Sequence, residues 1–247
     1  MAARLIFFVP MKSALLTVIA GICTALPALA RDFRPLRTAK SETRFYPAQA
    51  PKAGSVVLVH GIFENGDNFR MMRKRLQKKG FDCLIPQLKP SDGRGGLDKL
   101  ADGLMRDIER QFGPDEPVSI VGFSMGGIVS RHYLQKLGGA SRCRSFITIS
   151  SPHQGTHAAW FYPSAGAAQM RPGSTFLAEL AATDSKLGAM PVTSYRTPLD
   201  LIILPAGNSV WERAENLQFP VLLHPLMLND REVLDDIERR LLAVTAD

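Results

Sequence analysis

Five consecutive residues, Gly122-Phe123-Ser124-Met125-Gly126, have the types and spacing for nucleophilic chemistry at a serine hydroxyl. A serine presented on a strand-to-helix turn needs small neighbours two residues away on each side, because the turn is too sharp for bulky ones. The hydroxyl is a poor nucleophile at neutral pH until an imidazole takes its proton. The chain has five histidines. His60 ends an apolar run before Gly61, where the following backbone turn matters more than the ring. His132 falls eight residues past Ser124, pointing away from the turn, and His157 belongs to an irregular stretch. His153, in Ser151-Pro152-His153-Gln154-Gly155, stands at the mouth of a predicted strand and is a candidate to line a substrate site. His224 follows an apolar run and precedes the last helical segment. A loop at the end of the last strand is where a base for Ser124 belongs. No spacing of cysteine and histidine fits a zinc site, and neither a metal nor another cofactor is expected.

These groups need a scaffold. Residues 119–121 read as a buried strand, and Ile128, Val129, Tyr133, Leu134 and Leu137 recur at helical spacing until Gly138-Gly139 ends the pattern. Apolar strand-like runs at 55–59, 81–88, 145–150 and 199–204 alternate with helical patterns at 69–79 and around Leu97, Leu100, Leu104 and Ile108. Strands that are apolar throughout and alternate with helices predict an α/β fold, a mostly parallel sheet covered on both faces. The alternation lapses between Gly155 and Pro198. The stretch is too long for an ordinary connection and predicts a small cap over about 156–198, carrying Trp160, Phe161 and Tyr162. A final apolar stripe at Val233, Leu234, Ile237 and Leu241 predicts a closing helix.

Residues 1–30 carry Met11-Lys12, an apolar run over 14–26 and the small-residue site Ala28-Leu29-Ala30, the pattern of an export leader. The expectation is a secreted or periplasmic protein whose residues 31–247 form one domain. An uncleaved N-terminal anchor is the alternative, with the start at either Met1 or Met11. The formal net charge is +7, and basic residues concentrate over 70–79. They read as a solvated helix face, with transient contact to an anionic membrane surface as the second reading. No aromatic stacking pattern accompanies them, which argues against nucleic acid. Cys83 and Cys143 lie beyond the leader, and their spacing gives a disulfide no support.

Five segments occur in a telling order: Val59-His60-Gly61-Ile62, the Ser124 pentapeptide with Gly127, Ser151-Pro152-His153-Gln154-Gly155-Thr156, Arg171-Pro172-Gly173-Ser174, and His224-Pro225-Leu226-Met227-Leu228. In this order the chain resembles secreted serine lipases and esterases of the α/β-hydrolase superfamily, over nearly all of 31–247. The resemblance implies an α/β-hydrolase fold and an acyl-enzyme on Ser124, formed from lipid or other small acyl esters by a monomer. It also implies an oxyanion hole made by the backbone amides of Ile62 and Met125. The third triad member departs from the pattern. The loop after the strand expected at 199–204 reads Pro205-Ala206-Gly207-Asn208-Ser209-Val210-Trp211, without a carboxylate. Asp200 would open that strand, roughly four residues at about 3.3 Å each from its carboxyl end. Asn208 takes the expected position, and Glu212 and Glu215 stay open as partners of His224. An asparagine orients the imidazole in papain-like sites, whereas in a serine triad the wrong tautomer costs about four orders of magnitude in rate. Two other functions therefore stand beside ester hydrolysis: a catalytically weak binding protein of the same fold, and acyl transfer through the same acyl-enzyme.

Overall fold

The computed structural model describes residues 42–245; the leader expected over 1–30 lies outside the described residues. The seven-stranded sheet has the order β1-β3-β2-β4-β5-β6-β7: β1 Arg44–Tyr46, β2 Gly54–Val59, β3 Phe81–Ile85, β4 Val118–Phe123, β5 Cys143–Ile149, β6 Val192–Arg196 and β7 Glu215–Gln218. Among the described strands only the β1–β3 pair is antiparallel. The runs at 55–59 and 119–121 are apolar without alternation because both faces of their strands are covered. Val57, Val59 and Ile120 enter the core on one face with Leu97, Leu100 and Leu104 of α2 (Leu97–Phe112) and Ile128 and Val129 of α3 (Met125–Lys136). Val56, Leu58, Val121 and Phe123 enter the other with Met72 and Leu76 of α1 (Arg70–Lys78) and Val233, Ile237 and Leu241 of α6 (Arg231–Ala243). Asp230 caps α6, accepting the amides of Glu232 and Val233 at 3.0 and 3.1 Å.

The strand expected at 199–204 is not one. Asp200 Oδ1 accepts the amides of Ile202 and Ile203 at 2.9 and 2.8 Å, and this local capture folds the segment into a bend despite its apolar character. The strand lies just before it: β6, residues Val192–Arg196, pairs in parallel with β5 from Phe146↔Val192 to Ile149↔Tyr195. The expected cap shrinks accordingly to an insert between β5 and β6. It holds two short helices, α4 Ala165–Gln169 and α5 Thr175–Ala181, flanked by 3-10 turns at His157–Trp160 and Asp184–Leu187. The short edge strands β1 and β7 carry little apolar signal. β7, residues Glu-Asn-Leu-Gln, is mostly exposed, as edge strands that resist further pairing commonly are.

Of the basic residues over 70–79, Arg70, Lys74, Lys78 and Lys79 are exposed and Arg73 and Arg75 are half-buried. Arg75 bonds Asp235 and Glu238 of α6, Lys79 lies 3.1 Å from Glu238, and the Arg73 guanidinium sits 4.0 Å from the centre of the Tyr46 ring. Cys83 on β3 and Cys143 on β5 are separated by β2 and β4; both are buried and free, and burial pushes both thiols up to about 12.

Candidate active site

Strand β4 occupies the middle of the sheet and hands the chain to α3 through Ser124, whose φ of 53° and ψ of −124° are sterically unfavourable for any side-chain-bearing residue. Such a conformation costs about 1 to 3 kcal/mol and persists only where its surroundings impose it. The imposing contacts are backbone. A Cβ on Gly122 would lie 2.6 Å from Gly127 Cα, and one on Gly126 would lie 2.2 Å from Val59 O and 2.5 Å from His60 O. Gly126→Ala must therefore push α3 away from the end of β2. We expect at least a hundredfold slower phosphonylation of Ser124 by a fluorophosphonate, since misplacement of reacting groups by about 1 Å can cost that much; an unchanged rate would contradict the packing.

The register Val59↔Gly122 brings the turn after β2 alongside the elbow, so close that a Cβ on Gly61 would stand 3.2 Å from Ser124 Cβ. In that turn Gly61 N donates to Glu64 Oε2 at 2.7 Å and Phe63 N donates to Ser91 O at 2.8 Å. The Ile62 amide lies between these two engaged ones. Met125 is the first residue of α3, where an N–H has no acceptor within the helix and the helix dipole favours negative charge. His60 does more than the sequence reveals. Its Nε2 accepts the Leu88 amide at 3.3 Å, which leaves Nδ1 to donate to Gly61 O at 2.9 Å, so the buried ring ties the turn to the segment after β3. Burial lowers its pKa and keeps it neutral.

His224 opens a 3-10 turn, His224–Leu228, and its ring centre is 4.8 Å from that of Phe123, the residue before Ser124. Its Nδ1 lies 2.7 Å from Asp200 Oδ2, and the Asp200 side chain is only 1% exposed. Burial works to raise the Asp200 carboxyl. The hydrogen bond and charge of His224, with the amides of Ile203 and Ile202, outweigh it and hold the group below its ordinary value. An ionised carboxylate only accepts, so Nδ1 carries the proton and donates it to Asp200. In the neutral form of the ring, Nε2 is then the nitrogen with the lone pair.

Asn208 stands elsewhere. Its Nδ2 donates to Gly155 O at 2.8 Å and its backbone carbonyl accepts the Gln154 amide at 3.0 Å, so it fastens one loop to another instead of meeting His224. Glu215 pairs with Arg240 at 2.6 and 2.7 Å, and Glu212 is an exposed turn residue. His153 is likewise not on a substrate surface. It is 5% exposed, stacks on Trp211 with ring centres 4.6 Å apart and bonds Thr148 at 3.0 Å; burial, with help from the nearby Arg131 charge, keeps it neutral.

Most of the exposed large apolar side chains gather on the loops that carry these groups. Phe63 lies on the turn after β2, Trp160 and Phe161 on the insert, Leu199, Leu201 and Ile202 around Asp200, and Leu222, Leu223 and Leu226 around His224. The loops are joined by the edge-on contact of Phe63 with Tyr162, the His157 amide bonded to Leu204 O, and Thr197 Oγ1 bonded to Val221 O. Among the described residues no group of three or more histidine, cysteine or carboxylate side chains is arranged to hold a metal ion.

A family model described as the alpha/beta hydrolase fold matches residues 54–222, well over half of the chain. The chain belongs to the α/β-hydrolase fold family. Among solved α/β-hydrolase structures it is similar to the mature lipase BlEst2 of Bacillus licheniformis: TM-score 0.63, 17% identity, 82% of this chain and 98% of that one covered. It is also similar to Est1E of Butyrivibrio proteoclasticus with ferulic acid bound, with a TM-score of 0.64 at 11% identity over 83% of this chain and 96% of that one. A third is a thermostable carboxyl esterase of Bacillus coagulans in complex with glycerol, with a TM-score of 0.53 at 14% identity over 81% and 92%. No curated protein matches the chain in sequence. At such identities these likenesses speak to the α/β-hydrolase fold alone.

Proposed function

We propose that this α/β-hydrolase is an exported serine carboxylic ester hydrolase acting on apolar acyl esters. The observation that carries the reading is the 2.7 Å contact of His224 Nδ1 with the buried Asp200 carboxylate, beside the strained Ser124 turn. Ser124 Oγ attacks the ester carbonyl while its proton passes to His224 Nε2. The oxyanion that forms is met by the amides of Ile62 and Met125. Collapse breaks the bond to the alkoxy group, which leaves as the alcohol with the proton from His224. Water, deprotonated by the same nitrogen, then attacks the acyl-enzyme and releases the carboxylic acid and free Ser124. The motive for a silent binding protein, a missing carboxylate, disappears with Asp200 at the imidazole. The apolar rim supports acyl esters as substrates, each covered methylene contributing up to about 0.8 kcal/mol. The leader-like residues 1–30 support action outside the cytoplasm.

The test is activity-based labelling with a fluorophosphonate beside hydrolysis of p-nitrophenyl esters of increasing acyl length. Wild type is expected to label and to favour the longer of two soluble esters. Ser124→Ala is expected to lose labelling and about 10⁴-fold or more in kcat. Full hydrolysis by Ser124→Ala would overturn the assignment.

A further inference from the structure

Resting on the ester hydrolase reading, we propose that Glu64 is a positioning residue for the oxyanion-binding amide of Ile62, acting by capturing the Gly61 N–H. Three observations converge on its carboxylate. Gly61 is buried, and its amide has Glu64 Oε2 as acceptor at 2.7 Å; a buried N–H deprived of an acceptor would turn toward another one and take its peptide with it. The same Oε2 would stand 3.0 Å from a Cβ on Gly61, whose other close neighbours are Ser124 Cβ at 3.2 Å and Phe123 Cδ1 at 3.3 Å, so the bond lies against the nucleophile and not on a remote part of the loop. Between donor and acceptor, Phe63 has a φ of 61°, a backbone state that a phenylalanine seldom adopts. The Glu64 side chain closes the turn from below while Phe63 N bonds Ser91 O and the Phe63 ring meets Tyr162 at 5.0 Å. Locked at both flanks, the Ile62 peptide has little rotational freedom left.

Burial raises the Glu64 carboxyl, against the Gly61 hydrogen bond and the attraction of His224. A charge there faces the site where an oxyanion grows, so the useful property of the side chain is its acceptor oxygen and its reach. Three variants separate these properties. Glu64→Ala removes the acceptor, Glu64→Gln keeps an acceptor at the same reach without charge, and Glu64→Asp keeps the charge and draws it back by one methylene.

Steady-state hydrolysis of p-nitrophenyl butyrate is measured for each, with thermal melting to confirm folding. Loss of one oxyanion donor typically costs about 10²- to 10³-fold in kcat, and a misaimed donor is expected to cost about 10- to 100-fold. We expect Glu64→Ala and Glu64→Asp to lose about that much in kcat with KM nearly unchanged, because the oxyanion exists only in the transition state. Glu64→Gln should return to near wild-type kcat. If Glu64→Ala does not fold, the Gln and Asp pair carries the same comparison. Wild-type kcat in Glu64→Ala or in Glu64→Asp, equal damage in Glu64→Gln, or a loss confined to KM would each overturn the proposal. Failure of the underlying reading shows separately, as wild-type enzyme that neither labels with fluorophosphonate nor turns over the ester.

Discussion

Asp200→Asn is expected to lower kcat for ester hydrolysis by about 10⁴-fold, while Asn208→Ala stays within a few-fold of wild type. The size of the first effect follows from where each carboxylate oxygen points. Oδ1 accepts the amides of Ile202 and Ile203, and Oδ2 faces His224 Nδ1. An asparagine would keep its one acceptor oxygen on the two amides, since an NH₂ there would confront two donors. Its NH₂ then faces the imidazole, so Nδ1 must accept and Nε2 must carry the proton. A protonated Nε2 cannot receive the hydrogen of Ser124, although the fold and the substrate site stay as they were. Asn208→Ala breaks only a side-chain bond to Gly155 O, which takes no part in this proton path. Steady-state kinetics of the two variants decides the matter; a large loss in Asn208→Ala with an intact Asp200→Asn would return the role to the loop amide.

The same carboxylate gives a sign for pH. Asp200 is held below its ordinary value in the folded protein, so its ionised form stabilises the fold above the pH at which an unfolded aspartate titrates. That stabilisation fades as pH falls through the lowered folded value. Asp200→Asn should accordingly flatten the acid side of a stability-versus-pH curve, read by thermal melting, while wild type loses stability there.

How far the sequence discloses this site depends on which forces set each segment. Ser124 and the end of β2 are legible because steric demands write themselves as glycines: a Cβ at Gly126 has nowhere to go, and any chain making this turn must show that residue. The two-sided burial of β2 and β4 is likewise visible as nearly continuous apolar runs, interrupted only by small residues such as Ser119. Asp200 is not legible from pattern alone. Pro-Leu-Asp-Leu-Ile-Ile-Leu-Pro reads as a strand by its apolar content, yet one side-chain oxygen holding two amides makes it a bend. Val192-Thr193-Ser194-Tyr195-Arg196, mostly polar in composition, pairs as the buried strand because its hydroxyls find partners there, as Ser194 Oγ does on Ser209 O. Shifting the strand to β6 puts Asp200 four residues past its carboxyl end, where the acid belongs. The available signal is the stretch Val192-Thr193-Ser194-Tyr195 itself, whose β-branched and aromatic residues suit a strand although its hydropathy does not advertise one.

The insert between β5 and β6 is tied to α3 by one charged group, and this makes Asp184→Ala the largest expected change in stability. Asp184 accepts from Arg131 Nη2 at 2.8 Å, Gln135 Nε2 at 2.6 Å and Trp211 Nε1 at 2.8 Å, joining α3, the end of the insert and the segment before β7. Arg131 is 1% exposed and its guanidinium lies 4.3 Å from the Trp211 ring centre, whereas the Asp184 side chain keeps 25% exposure. Removing the carboxylate leaves a buried cation without a counter-charge, for which losses run about 3 to 5 kcal/mol. Partial access of water at Asp184 favours the lower end, about 3 kcal/mol, or roughly 6 to 12 °C in Tm for a domain of this size. Arg131→Met combined with Asp184→Leu should recover the part of the loss that comes from the unpaired cation, whereas Gln135 Nε2 and Trp211 Nε1 still lack their acceptor. If the single variant melted like wild type, Arg131 would be neutralised by something other than Asp184. The double variant also separates anchoring from chemistry: hydrolysis per folded molecule is expected to survive in it, since α3 presents Ser124 through the glycine contacts at its other end.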